Sequence, residues 1–166
     1  EALVVTSRAW DDDKSHVFVL RTGSHKVYTA NIGADAVSKA VTELRRGIDL
    51  SEVQSLDDLP AFNTSVAYRL YRDLLGPAEA SLEGADHVFF VVDGALGSLP
   101  IGVLVTEEPK AGASYKDIAW LAKRYAATTL PSVSSLRALR TFAKRGKAIN
   151  RRYNSQASKI VGDPSP

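Results

Sequence analysis

Nucleophilic catalysis needs a nucleophile within reach of a base, and few residues here could supply either. The sequence has no cysteine and three histidines, His16, His25 and His87. Without cysteine there is no thiolate nucleophile, no disulfide framework and no thiolate metal site. A Ser/His/Asp triad needs its serine on a strained turn beside a histidine and oxyanion donors, and no Gly-x-Ser-x-Gly elbow is present. His16 opens an apolar run, His25 falls in a turn signal and His87 precedes a second apolar run. Each reads as a surface or structural histidine, so no catalytic residue and no metal ligand is assigned.

Binding chemistry is equally sparse. Asp93-Gly94-Ala95-Leu96-Gly97-Ser98-Leu99-Pro100 follows an apolar run, where α/β proteins place phosphate loops. It lacks the Lys-Ser/Thr of a P-loop and the spacing of a dinucleotide fingerprint, and Pro100 ends any helix that could aim its N-terminus at an anion. A glycine turn that packs Leu96 and Leu99 accounts for the residues, and no cofactor is expected. Asp11, Asp12 and Asp13 lack the glycine and distal glutamate of a calcium loop and read as a solvated hairpin tip. Lys144, Arg145, Lys147, Arg151 and Arg152 lie between Phe142 and Tyr153, and basic residues beside aromatics can hold single-stranded nucleic acid. The plainer reading of that run is an exposed linker.

The elements that must position these residues follow from pattern. A chain of 166 residues, 45% hydrophobic and 24% charged, fits one soluble domain of ordinary size. No apolar stretch is long enough to span a bilayer and the N-terminus lacks a signal-peptide pattern, so a cytoplasmic protein with no membrane partner is expected. The net charge of +2 hides an asymmetry: from Lys110 onward twelve Lys or Arg face two acidic residues, net +10, while the first 109 residues carry nine basic and seventeen acidic, net −8. Apolar runs at 2–7, 16–21 and 26–32, separated by turn chemistry, predict a three-stranded antiparallel meander. The second and third of these strands are apolar on both faces and are expected to be covered on both sides. Val37, Ala40, Val41, Leu44 and Ile48 predict an amphipathic helix stopped by Gly47. A second helix starts near Pro60, capped by Asp57 or Asp58, buries Phe62, Val66, Leu70 and Leu74, and breaks at Gly76-Pro77. A short helical turn then runs on to Gly84.

His87 to Val92 reads as a strand buried on both faces, Ile101 to Val105 as another short apolar run, and Tyr125 to Leu130 as a further strand. Pro131-Ser132-Val133-Ser134 caps a helix through Leu136, Leu139 and Phe142. The fold class is therefore α/β, a mixed β-sheet flanked by helices with an N-terminal antiparallel meander. Phe89, Val91, Leu96, Leu99 and Leu136 are expected in one core. Lys159 to Pro164 looks like the opening strand and turn of a further unit, so the chain reads as a piece of something longer.

Three stretches in order resemble a known family: Tyr71-Arg72-Asp73-Leu74-Leu75-Gly76-Pro77, then His87 through Ile101, then Arg124-Tyr125-Ala126 leading to Leu130 through Leu139. They are similar to the front half of the CHAT domain, a caspase-like module often found with tetratricopeptide repeats and distantly similar to separases. Glu1 to Val5 and Val161-Gly162-Asp163-Pro164 fit the same pattern, while Gly97 departs from it, standing where the family has a larger residue. The resemblance implies a caspase-like (pseudo-caspase) lobe over residues 1–143, a basic linker or loop over 144–157, and at 158–166 the first strand and turn leading into an absent catalytic lobe. In that family a His in a His-Gly context and a later Cys follow the Gly-Asp-Pro turn, and neither is in this sequence. The resemblance thus implies the noncatalytic lobe of a bacterial cysteine peptidase. Its partners would be the C-terminal peptidase lobe of the same parent and an upstream repeat or sensor domain. Asp93, Gly94, Leu96, Leu99, Pro100, Pro131, Ser134 and Leu136 form its structural or docking motif. The alternative is a nucleic-acid or acidic-protein binding module acting through the basic C-terminal part, with nucleic acid the less expected partner.

Overall fold

Five short β-branched and apolar runs pair into one mixed sheet. The structure, a computed structural model, describes residues 1–8, 13–49 and 60–145. β1 (Ala2–Arg8), β2 (Ser15–Arg21) and β3 (Ser24–Ala30) are successive antiparallel neighbours, the expected meander. Thr22-Gly23 alone joins β2 to β3, with Gly23 at φ +78°, a left-handed conformation that a Cβ disfavours. His25, expected in that turn, is instead an exposed residue of β3. The chain then leaves the sheet through α1 (Ala34–Arg46) and α2 (Thr64–Leu74). It returns as β4 (His87–Val91), parallel to β1, and β5 (Ala126–Thr129) adds parallel to β4. The order is β3-β2-β1-β4-β5.

The helices follow their apolar spacing. α1 buries Val37, Val41 and Leu44, and Gly47 caps its C-terminus. A Cβ on Gly47 would lie 2.9 Å from Phe62 Cα, so glycine is what lets the two segments approach. Ile48 lies beyond the helix and is exposed rather than on its buried face. α2 starts at Thr64, not near Pro60, because Asn63 caps it by accepting from Val66 N at 3.1 Å. Asp57 and Asp58 lie outside the described residues. After α2, Gly76-Pro77 opens a 3₁₀ turn (Gly76–Leu82), and α3 (Leu121–Arg124) precedes β5.

Burial corrects the reading of the strands. Val4, Val17, Val19, Val88 and Phe90 share one core with the buried faces of α1 and α2. The residues between them do not: Phe18, Phe89 and Val91 are half-buried, Leu20 is 40% exposed and Val27 55%. β2, β3 and β4 are therefore not buried equally on both faces. Successive side chains of a strand point to opposite faces, and α1 and α2 join the core through only one of them. Leu96 and Leu99 do enter the core, with Val88 and Phe90 in place of Phe89 and Val91.

Glu1–Leu130 form one compact unit, and the residues from Pro131 on form a second. In the second unit a helix, α4, occupies 133–145, and Ser132 Oγ accepts from Ser135 N at 3.3 Å at its start. The helix runs through Leu136, Leu139 and Phe142 as expected; Leu136 is buried, whereas Leu139 and Phe142 are 53% and 66% exposed. Lys144 and Arg145 are the last described residues of this helix rather than the start of a loop. Lys147, Arg151, Arg152 and the run 158–166 lie outside the described residues.

Candidate functional site

The C-terminal ends of the parallel pair β1 and β4 flank the point where the chain runs to β2 on one side and returns as β4 on the other. Open α/β sheets place ligands at such points. Asp93 sits there with its backbone N–H donating to Thr6 Oγ1 (3.2 Å), its carboxylate accepting from Gly94 N (2.7 Å), and Arg8 Nε 3.6 Å from its other oxygen. Gly94 takes φ +60°, which turns the chain sharply after the strand. Leu96 and Leu99 then bury at 1% and 3% exposure, and the exposed Pro100 caps the next 3₁₀ turn. The cavity between Thr6, Ser15, Asp93 and Gly94 is about 40 Å³, the scale of a water molecule and far below that of a nucleotide. Asp93 is thus engaged within the lobe by Thr6, Arg8 and Gly94. Neither Thr6 nor Arg8 stands out in the sequence, because the partner of both lies far along the chain.

The histidines divide in the same way. His87 Nε2 lies 2.9 Å from Thr128 Oγ1, and its ring stacks on Phe89 with centroids 4.3 Å apart. A histidine beside a hydroxyl has the outline of a base and nucleophile. This pair, however, spans β4 and β5 at the N-terminal end of β4, opposite the end where parallel sheets place reacting groups. The geometry is that of a cross-strand pair that helps fix register. His16 lies 3.5 Å from Thr29 across β2 and β3. Among the described residues no three His, Asp or Glu side chains come together as a metal site.

A wider groove of about 480 Å³ is lined by Ile48, Phe62, Pro100, Gly102, Val103 and Trp120. Its one charged residue, Lys123, already donates to the carbonyls of Lys116 and Ile118. The Trp120 indole N–H is held by the Tyr115 carbonyl at 2.8 Å. The groove therefore offers packing surface and little to orient a ligand.

The remaining feature is an edge. Among the described residues, β5 has a partner on one side only. Ala126 N donates to Asp86 O and Leu130 N to Phe90 O, at 2.8 and 2.7 Å. Strand alternation then turns the N–H groups of Ala127 and Thr129 away from β4. Ala126-Ala127-Thr128-Thr129 carries no charge and no proline, the usual guards of an exposed edge. Of the other motif residues, Pro131 and Ser134 are exposed at the start of α4, with Ser134 Oγ 2.7 Å from Ser132 Oγ.

Fold and surface together define an α/β unit with a mixed sheet whose β5 edge is unpaired among the described residues, built from a sequence without cysteine. A family model described as CHAT domain matches residues 64–165, more than half of the chain, and the chain belongs to that family. Membership relates it to caspase-like, peptidase-related modules. The match begins at the first residue of α2, so the meander and α1 lie outside it. No match is found among curated proteins.

Proposed function

We propose that this chain is the noncatalytic lobe of a bacterial, cytoplasmic CHAT-domain cysteine peptidase, and that it supports the peptidase lobe by accepting one of its strands at β5. The observation that carries the reading is the unguarded β5 edge, with the Ala127 and Thr129 N–H groups turned outward. The absence of cysteine from the sequence agrees, since the lobe brings no thiolate of its own. An upstream repeat or sensor domain would complete the parent protein.

The test pairs the purified chain with the peptidase lobe of its parent and measures assembly by analytical ultracentrifugation. A one-to-one complex is expected, and Thr129→Pro should abolish it. That substitution removes an outward N–H without touching a bond to β4, so the chain stays folded. Assembly that is unchanged in the variant would sink the β5 mode of docking, and no assembly with the unaltered chain would sink the supporting role. Alone, the chain should cleave neither peptides nor esters; turnover that survives repurification and disappears on changing one of its own residues would overturn the noncatalytic reading.

α4 favours a second reading, since Arg137, Arg140, Lys144 and Arg145 project from a helix with no acidic residue and with Phe142 exposed. A binder of nucleic acid would hold oligonucleotides tightly near physiological salt, with affinity falling steeply as salt rises. Fluorescence anisotropy at two salt concentrations, with Arg137→Ser and Arg145→Ser as variants, separates it from the weak, nonspecific association expected of a docking lobe.

A further inference from the structure

Every residue of α4 from Arg137 to Arg145 is exposed, and Leu136 alone of the helix is buried. Short helices are marginal in water, and in proteins they draw most of their stability from packing an apolar face. Here the large apolar side chains of the last turns, Leu139 and Phe142, stand in solvent. α4 thus has the surface of a helix without its neighbour.

One side of it forms a groove. Ser134, Arg137, Ala138, Thr141, Phe142 and Arg145 recur at spacings of three and four, as residues along one helix face do, and line a hollow of about 340 Å³. Leu136 lies on the opposite side. The floor of the groove asks for no polar partner: Thr141 Oγ1 donates to the Arg137 carbonyl at 2.9 Å, which satisfies the hydroxyl within the helix, and Ala138 carries only a methyl group. Small side chains there allow another helix to come close. Phe142 stands on one flank, and on the other Arg137 and Lys144, seven residues apart, fall in one row. Arg145 lies at the C-terminal end. The helix has no acidic residue, and neither has the sequence between Asp117 and Asp163. Among the described residues Arg137, Lys144 and Arg145 form no ion pair.

We propose that this groove docks an acidic amphipathic helix of a partner protein, with its apolar stripe on Ala138, Thr141 and Phe142 and its carboxylates on Arg137, Lys144 and Arg145. From Ser134 to Arg145 the face runs about 17 Å, the length of about three turns of a partner helix. Arg137 and Lys144 lie two turns apart, so carboxylates two turns apart on the partner meet both. Helix-to-helix recognition uses an apolar floor and a charged flank together. A nucleic-acid backbone uses the cations and has no need of the floor. The inference rests on α4 as a binding face, as the nucleic-acid reading does, but assigns it a different occupant, and it does not depend on docking at β5.

Fluorescence anisotropy of the whole chain with three labelled probes tests this: a synthetic helical peptide with leucine on one face and glutamate on its flanks, a polyglutamate peptide of equal charge, and a single-stranded oligonucleotide. The amphipathic peptide should bind at least about tenfold more tightly than either other probe, and Phe142→Ala should weaken it by about tenfold. The double variant Arg137→Glu with Lys144→Glu should lose this peptide and bind its counterpart with lysine in place of glutamate. All three positions are exposed, so circular dichroism and the unfolding midpoint should match those of the unaltered chain. No binding of the amphipathic peptide, equal binding of polyglutamate, or no recovery with the lysine peptide would overturn the proposal. Tighter binding of the oligonucleotide would overturn it in favour of nucleic acid, whereas binding of the peptide without the oligonucleotide would support it and sink the nucleic-acid reading.

Discussion

The two halves of the sheet end differently. The meander half, β1 to β3, is closed by its own chain: a two-residue turn sets its register, and its outer strand carries His25 and Lys26. Tyr28 on that strand is tied to Ser81 at 2.5 Å, and Arg21 reaches the Glu83 carbonyl at 2.7 Å. The parallel half, β1, β4 and β5, is assembled from segments far apart in sequence and stops at four small, uncharged residues. A charged, tethered edge resists further pairing, and an edge of alanine and threonine does not. Among the described residues the two edges are thus guarded differently: the outer strand of the meander carries charge and side-chain ties, and β5 carries neither charge nor proline.

The largest effect should separate the two faces of the parallel half. Phe90→Ala removes a fully buried ring and should cost about 3–5 kcal/mol, enough to unfold a marginal domain. Phe89→Ala, one residue away and half-buried, should cost less than half of that. Urea titrations of both variants measure the contrast, and equal losses would mean that both faces are packed alike.

A smaller effect concerns alkaline pH. Burial raises the pKa of Tyr71 and Tyr125 in the folded chain, so the native state holds these protons more tightly than the unfolded chain does. Their contribution is therefore complete below the unfolded tyrosine pKa of about 10 and declines as pH rises above it. Unfolding midpoints measured from pH 9 upward should fall less steeply in Tyr71→Phe than in the unaltered chain, and identical slopes would remove these groups from the account. The smallest effect on folding belongs to the guarded edge. Lys26→Val on exposed β3 should change stability by no more than about 0.5 kcal/mol while increasing self-association in sedimentation runs. A variant that stays monomeric would show that the charge is not the guard.

Much of the fold is legible in the sequence where the deciding chemistry is local. The spacing of Val37, Val41 and Leu44, the Gly76-Pro77 break and the turn at Gly23 each fix an element without help from the rest of the chain. Which face of a strand is buried is not local. His87 to Val92 is apolar nearly throughout, and the choice of Val88 and Phe90 over Phe89 and Val91 depends on which face packs with α1 and α2. The cap of α2 is hidden for a related reason, since Asp57, Asp58 and Asn63 all have the chemistry and only the true start of the helix selects Asn63. Of the candidate site, the Asp93-Gly94 turn and the burial of Leu96 and Leu99 can be read in advance. The links of Asp93 to Thr6 and Arg8 and of His87 to Thr128 arise only when distant segments come together.

The docking role is tested most directly by amide hydrogen exchange on the chain with and without the peptidase lobe of its parent. The outward N–H groups of Ala127 and Thr129 should exchange quickly in the isolated chain and become strongly protected in the complex, while the amides of Ser24–Ala30 stay as they were. Protection that appears along β3 and leaves Ala127 and Thr129 unchanged would contradict the assignment of β5 as the open edge.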